Sequence, residues 1–116
     1  MRKVDKPWGY ELIWAETKSY VGKILHINRG ERLSLQYHRQ KEETLYLQSG
    51  RMDLEHFEEG QPRQLTRMNS GDVFHVPPGL RHRMVAVEDC DVFEVSTPFL
   101  DDVVRLEDRY GRAPAG

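Results

Sequence analysis

The sequence has one cysteine, no long apolar run and no excess of charge of one sign, and each absence excludes a class of protein. Cys90 has no second cysteine to pair with, so the fold depends on its core, and a reducing, cytoplasmic location is expected. No segment approaches the ~18 apolar residues of a membrane-spanning helix, and no apolar segment of a signal peptide follows the basic start. A net charge of −2, with both signs interspersed, argues against nucleic-acid or anionic-membrane binding.

Helical periodicity is absent, and short segments rich in Val, Ile, Leu, Tyr and Phe alternate with Gly- and Pro-containing turns. We predict strands at 10–14, 20–27, 32–38, 43–49, 51–57, 64–67, 73–76, 82–88, 91–97 and 103–107. Strands repeating every ~8–12 residues indicate an all-β sandwich or barrel. The length of 116 residues is that of one domain. We therefore predict a single domain over 1–116, with an N-terminal arm at 1–9 and a frayed tail at 113–116.

A row of polar side chains interrupts the third predicted strand, within SLQYHRQKEETLYLQSG at 34–50. Side chains alternate along a strand, so Gln36 and His38 share one face with Arg32 and Ser34. A turn over 39–42 would bring Glu43 back beside His38 on the next strand. Leu33, Leu35 and Tyr37 occupy the opposite face. That apolar row would need a second layer of strand or a dimer partner to cover it, and we predict a homodimer.

The second half of the chain offers a counterpart in GDVFHVPPGLRH at 71–82. Its Pro-Pro-Gly turn places His82 at the start of a strand, so Gln36, His38, Glu43 and His82 could converge. Imidazole and carboxylate ligands suit Zn, Fe, Mn, Co or Ni, and the amide oxygen of Gln36 is a neutral fourth ligand. We predict that these four residues bind a divalent metal.

These two segments resemble the two cupin motifs. The first runs from Gly30 to Gly50, with Gln36 where the motif has its first His, and the second includes Gly71, Pro77, Gly79 and His82. The resemblance implies an all-β fold, the cupin double-stranded β-barrel, or jelly roll. Further segments, KPWGYE at 6–11, RLSLQYH at 32–38 and VVRLEDRYGR at 103–112, resemble the type II mannose-6-phosphate isomerase domain found at the C-terminus of mannose-1-phosphate guanylyltransferase fusions.

The isomerase resemblance implies a metal-dependent enzyme that interconverts an aldose and a ketose phosphate through a cis-enediol, with zinc as the expected metal. The substrate would be a small molecule, a sugar phosphate. Glu43 is the only carboxylate that the sequence places in the pocket, and the general base is not assigned. Arg32, Arg83 and Arg109 are the candidates for contacting the phosphate, because arginine binds such groups in bidentate geometry.

Two other functions fit the same residues. His38, His82 and Glu43 alone form a two-His-one-carboxylate set, which suits a non-haem iron dioxygenase. A non-catalytic cupin that binds a sugar or another metabolite would also use such a pocket. Oxygen uptake would favour the dioxygenase, and ligand binding without turnover would favour the binding protein.

Overall fold

The computed structural model describes residues 1–113 and is all-β, as predicted. Eleven strands are formed within these residues: β1 (Arg2–Lys6), β2 (Gly9–Glu16), β3 (Val21–Ile27), β4 (Leu35–Tyr37), β5 (Glu43–Ser49), β6 (Arg51–Phe57), β7 (Gln64–Asn69), β8 (Val73–Val76), β9 (Arg81–Ala86), β10 (Cys90–Ser96) and β11 (Val104–Glu107). No helix among residues 1–113 has the length and apolarity needed to cross a bilayer. The predicted frayed tail begins at residue 113, and 114–116 lie outside the described residues.

The strands form two antiparallel sheets that face each other. The first has the order β1-β2-β3-β10-β5-β8 and the second has the order β11-β4-β9-β6-β7. Their inner faces enclose one apolar core, to which the first sheet contributes Leu45 and Val92 and the second contributes Met52 and Leu54, all fully buried. The predicted double-stranded β-barrel is therefore confirmed.

Alternation along each strand decides which side chains face the core. In β10, the burial pattern places Cys90, Val92, Glu94 and Ser96 inside, while Phe93 points outward. The same rule operates in β5, where Glu43 precedes the fully buried Leu45 and Leu47. One acidic side chain on each of these paired strands thus enters an otherwise apolar interior, and such a group needs partners there.

The N-terminal segment is more ordered than the predicted arm. Residues Arg2–Lys6 form β1, which pairs with β2 at the edge of the six-stranded sheet. Arg2, Val4 and Lys6 alternate toward the inner side of that sheet and border the main cavity. No strand is predicted here from the sequence because β1 is short and mostly polar, RKVDK.

The predicted strand 32–38 is shorter than expected, and its apolar row, for which a second layer of strand or a dimer partner was expected, has its cover without a partner. Only Leu35–Tyr37 is a regular strand. Alternation fails before it, because Leu33 and the adjacent Ser34 both border the cavity. Leu33 and Leu35 are 8% and 1% exposed, and the guanidinium of Arg81 lies 4.0 Å from the centre of the Tyr37 ring. The row is covered within the protomer.

The turn between β5 and β6 depends on Gly50. Its φ of +91° lies in the left-handed region, and a Cβ added there would stand 2.2 Å from the carbonyl oxygen of Asp89. Only glycine meets both conditions without moving the backbone. This turn leads the chain from β5 in the first sheet to β6 in the second.

Candidate metal centre and adjoining cavity

His38, Glu43 and His82 converge between the two sheets. One ligand atom from each lies within 4.8 Å of the other two, and all three side chains are buried. Glu43 Oε1 is 3.1 Å from His82 Nε2 and 3.5 Å from His38 Nε2. Glu43 begins β5, His82 lies on β9, and His38 directly follows β4. The two sequence motifs therefore meet in space across the barrel.

The hydrogen bonds of the imidazoles fix which nitrogen is free. His38 Nδ1 donates to the carbonyl oxygen of Asp102 at 2.6 Å, and His82 Nδ1 donates to the carbonyl oxygen of Leu80 at 3.0 Å. A carbonyl only accepts, so in the neutral rings both Nε2 atoms carry a lone pair. Both Nε2 atoms are buried and lack a hydrogen-bond partner within residues 1–113.

This arrangement fits a divalent metal. Two lone pairs and one carboxylate oxygen face each other at a buried position, which is unfavourable unless a cation lies between them. Backbone carbonyls that orient the second imidazole nitrogen are the usual support for metal-binding histidines. The donor set of two nitrogens and one oxygen suits zinc and the neighbouring transition metals.

Gln36, the predicted fourth ligand, lies beside the centre. It is directly opposite His82 in the β4–β9 pair and borders the cavity. Its Oε1 accepts a hydrogen bond from Ser34 Oγ at 2.8 Å. An amide oxygen has two lone pairs, so one remains available, and ligation by Gln36 stays a prediction.

A buried charge network adjoins the ligands. Lys41 Nζ lies 3.3 Å from Glu43 Oε2 and 3.4 Å from Glu94 Oε2, and all three residues are at most 5% exposed. Burial alone would raise the pKa of Glu43, but donation by His38 and His82 when their Nε2 atoms carry a proton, together with the Lys41 charge, holds that pKa well below its ordinary value. Burial and the Glu43 carboxylate raise the pKa of Glu94 to about 8. At neutral pH, Glu43 is therefore the anion of the network and Lys41 is its cation.

Asp102 organises the loop between β4 and β5. Its carboxylate accepts hydrogen bonds from the backbone N–H groups of Arg39, Gln40 and Lys41 at 3.0, 2.6 and 2.8 Å. Desolvation acts to raise the pKa of Asp102, but these three bonds outweigh it and lower that pKa. The side chain of Asp102 thus fixes the loop that carries Lys41, while its carbonyl orients His38.

A cavity of about 300 Å³ borders the centre, and His38 belongs to both. The two sheets and the segment before β11 form its wall. Of the described residues in this wall, six are cationic and three are acidic. The cationic ones are Arg2, Lys6, Lys23, Lys41, Arg105 and Arg112, and the acidic ones are Glu11, Glu94 and Asp101. The volume and polarity suit a small, polar, anionic ligand.

The three predicted phosphate-binding arginines lie elsewhere, and none of them borders the cavity within residues 1–113. Arg83 is 9% exposed and donates through Nε to Glu55 at 3.0 Å, on the face of β9 opposite His82. Arg109 donates to the carbonyl of Gly30 at 2.8 Å. Arg32 forms an isolated backbone bridge with Val85.

Sequence reasoning missed Glu94 and Glu11, two buried carboxyls in the cavity wall. A signal was present for both. In β10, Glu94 has the inward parity of Val92, and in β2, Glu11 has the inward parity of Ile13. An acidic residue at an inward position of a strand costs free energy unless it has a function or a partner, and that makes it a site candidate.

Two facing antiparallel sheets with a buried His-His-Glu cluster define a β-barrel protein with a candidate site for a divalent metal. The chain belongs to the cupin family, because residues 23–96 match the cupin domain. That match contains all three clustered residues. It ends before the segment that carries Asp102 and Arg105.

Three individual proteins are similar to this chain, at 19% to 32% sequence identity. The xanthan biosynthesis protein XanB of Xanthomonas campestris pv. campestris is 32% identical over 117 residues, covering 96% of this chain and 24% of XanB. The chain thus spans about a quarter of that relative. KdgF from Halomonas sp. is structurally similar, with a TM-score of 0.75 and 25% identity over 87% of this chain and 91% of KdgF. Oxalate decarboxylase of Lactobacillus farciminis shares the fold, with a TM-score of 0.76 at 19% identity over 90% of this chain and 33% of that one.

Proposed function

We propose that this cupin is a metal-dependent sugar-phosphate isomerase that resembles mannose-6-phosphate isomerase and uses zinc. The observation that carries the proposal is a pair of buried Nε2 atoms that face Glu43 beside a polar cavity and have no hydrogen-bond partner in the described part of the chain. The similarity to XanB, a protein named for xanthan biosynthesis, supports a sugar-related role. The resemblance of several sequence segments to the type II isomerase domain supports the reaction type.

The metal would be held by His38, Glu43 and His82, with Gln36 as the proposed fourth ligand. When bound, a divalent metal supplies Lewis-acid stabilisation of negative charge on a substrate oxygen. The protein must provide the remaining function, which is transfer of a proton between C1 and C2 of the sugar. That transfer needs an acid–base group in contact with the cavity.

Glu94 is the group that we assign to proton transfer. It borders the cavity, and its carboxyl shares the ammonium group of Lys41 with the ligand Glu43. The other buried wall carboxyl, Glu11, is already contacted by Lys23 at 3.4 Å and Lys6 at 3.9 Å. In its carboxylate form, Glu94 would remove the proton from one carbon of the sugar and return it to the neighbouring carbon, while a second proton passes from the hydroxyl oxygen on one of these carbons to the oxygen on the other, so no net proton is consumed.

Proton NMR in heavy water tests this function. Zinc-loaded protein is incubated with hexose and pentose phosphates, and the C1–H and C2–H signals are followed. We expect deuterium incorporation or a new ketose signal, abolished by His38→Ala and reduced about 10²–10⁴-fold by Glu94→Gln. Glu58→Gln, at an exposed position, is the matched control. Absence of exchange with every sugar phosphate would contradict the isomerase.

One observation favours a second candidate function. The Oε1 of Gln36 already accepts from Ser34, which leaves two imidazoles and one carboxylate as the clustered ligands. This set suits a non-haem iron dioxygenase. Oxygen uptake by iron-loaded protein in the presence of a candidate substrate would support it. Sugar binding with neither exchange nor oxygen uptake would instead support a non-catalytic binding cupin.

We also propose a homodimer formed through the outer face of the six-stranded sheet. A cross-strand row of apolar side chains crosses this face: Leu12, Ile24, Phe93, Tyr46 and Val73. Tyr46 and Val73 are 41% and 61% exposed. Exposed apolar side chains that lie side by side on one face favour association with another protein surface. Sedimentation equilibrium should give a dimer, and Phe93→Glu should give a monomer; a monomeric wild-type protein would refute the assignment.

A further inference from the structure

Arg105 differs from every other cationic residue of the cavity wall. Arg2, Lys6, Lys23, Lys41 and Arg112 each have a carboxylate within 4.0 Å. Arg105 has no such ion pair and no side-chain hydrogen bond among the residues that the structure describes, and its buried Nε is unpartnered. A guanidinium has five N–H donors and favours a planar, anionic partner. Within residues 1–113, the cavity wall therefore presents one uncompensated guanidinium.

The sheet register places this arginine close to the metal centre. Arg105 on β11 is opposite Gln36 on β4, and Gln36 is opposite His82 on β9. Residues directly opposite each other in antiparallel strands share a face, so all three point to the inner side of the sheet. Two strand spacings separate the backbones of Arg105 and His82 by ~10 Å. A ligand could reach the cluster with its hydroxyls and Arg105 with a substituent several carbons away.

We propose that Arg105 is the anion-binding residue of the cavity, selecting sugars that carry a phosphate ester or carboxylate remote from the hydroxyls at the metal centre. The inference rests on one part of the proposed function, namely that a sugar binds in this cavity. A carboxylate is planar and a phosphate ester is tetrahedral, but both are oxyanions that accept hydrogen bonds from the N–H groups of one guanidinium. Charge-assisted bonds of this kind discriminate strongly against a ligand that lacks the anion.

Isothermal titration calorimetry on zinc-loaded protein tests the proposal with three ligands: mannose 6-phosphate, mannuronate and mannose. Wild-type protein should bind at least one of the two anionic sugars more tightly than mannose. Arg105→Gln should weaken binding of that anionic sugar by about 10- to 100-fold and leave mannose binding unchanged. Arg105→Lys keeps the charge without the planar fork and should lose less. The matched control is Arg29→Gln, which removes one exposed arginine outside the cavity wall.

The outcomes separate this inference from the isomerase proposal. Tighter binding of mannose 6-phosphate or of mannuronate identifies phosphate or carboxylate as the recognised group. Unchanged binding of both anionic sugars by Arg105→Gln, or an equal loss in Arg29→Gln, overturns the assignment. Binding that depends on Arg105 without hydrogen exchange would refute the isomerase and leave the anion site standing. If Arg105→Gln does not fold, Arg105→Lys provides the comparison. Its zinc stoichiometry is measured as well, because a defect at the metal site would change that stoichiometry and loss of the anion contact would not.

Discussion

Replacing Lys41 by methionine should destabilise the metal-free protein far more than the zinc-bound protein. Lys41 is 5% exposed and is the cation closest to the buried Glu43 carboxylate, at 3.3 Å. Methionine keeps most of the side-chain volume but removes the charge. Without zinc, Glu43 would then be a buried carboxylate that has lost its nearest cation.

The magnitude follows from the geometry. Two unit charges 3.3 Å apart attract by about 5 kcal/mol at an effective dielectric constant of ~20. Removing the buried ammonium also relieves its own desolvation, so the net loss of unfolding free energy should be about 3 kcal/mol, at the lower end for a broken buried pair. At a urea m-value of about 1.5 kcal/mol/M, the unfolding midpoint should fall by ~2 M.

Zinc should take over the role of Lys41 as the cation next to Glu43. The cost of Lys41→Met should then fall to about 1 kcal/mol, and the thermodynamic cycle requires the variant to bind zinc more tightly by the difference of about 2 kcal/mol, or ~30-fold. Urea unfolding with chelator and with excess zinc, together with zinc competition titrations, measures both sides of the cycle. Lys23→Met is the matched control, because Lys23 is paired with Glu11, outside the ligand cluster, at 3.4 Å.

Two results would refute this reasoning. Equal destabilisation of Lys41→Met with and without zinc would mean that the metal does not contact Glu43. A zinc dependence of the same size in Lys23→Met would mean that the metal stabilises the barrel generally and not through this carboxylate.

Three further predictions concern stability. Asp102→Ala removes the acceptor of three loop N–H groups and should lower the free energy of unfolding by about 1–2 kcal/mol, as measured with urea. It should also weaken zinc binding about tenfold, because Asp102 orients His38. Unchanged affinity in a zinc titration would contradict this coupling. Burial raises the pKa of Cys90 to about 11 from an ordinary value near 9, so the folded state retains the thiol proton longer and stability should fall as pH rises from 9 to 11. This fall should be smaller in Cys90→Ala when unfolding is compared at pH 8 and pH 10.5, and an equal fall would exclude the thiol as its source. Gly50→Ala should lose about 2–4 kcal/mol because of both its φ and the clash with Asp89, whereas Gly60→Ala, with a φ of +77° and open space, should lose about 1 kcal/mol, and equal losses would disprove the clash.

The convergence of His38, Glu43 and His82 could be predicted because its information is local. His38 and Glu43 are separated by one short turn, and His82 follows a Pro-Pro-Gly turn, so alternation along single strands was enough to place each of them on an inner face. The all-β class followed equally directly from short apolar segments and regularly spaced turns.

The cavity wall could not be predicted in the same way because it forms only when distant strands meet. Glu94 reaches the cluster because β10 inserts between β3 and β5, and Arg105 reaches the cavity because β11 pairs with β4. Neither pairing has a local sequence signal. Of the arginines chosen from sequence, Arg83 is adjacent to His82 along β9, and adjacency along a strand places its side chain on the opposite face.

The recognisable cupin segment, 23–96, does not contain the whole candidate site. It includes every clustered ligand, but the carbonyl that orients His38 is at residue 102, Arg105 follows it, and β1 supplies part of the cavity wall from the other terminus. A fragment trimmed to residues 23–96 would keep the candidate ligands. It would lose the carbonyl that orients His38 and the terminal residues of the cavity wall. Exchange of the two terminal segments between related barrels would accordingly change which ligand is accepted while the metal-binding residues stayed the same.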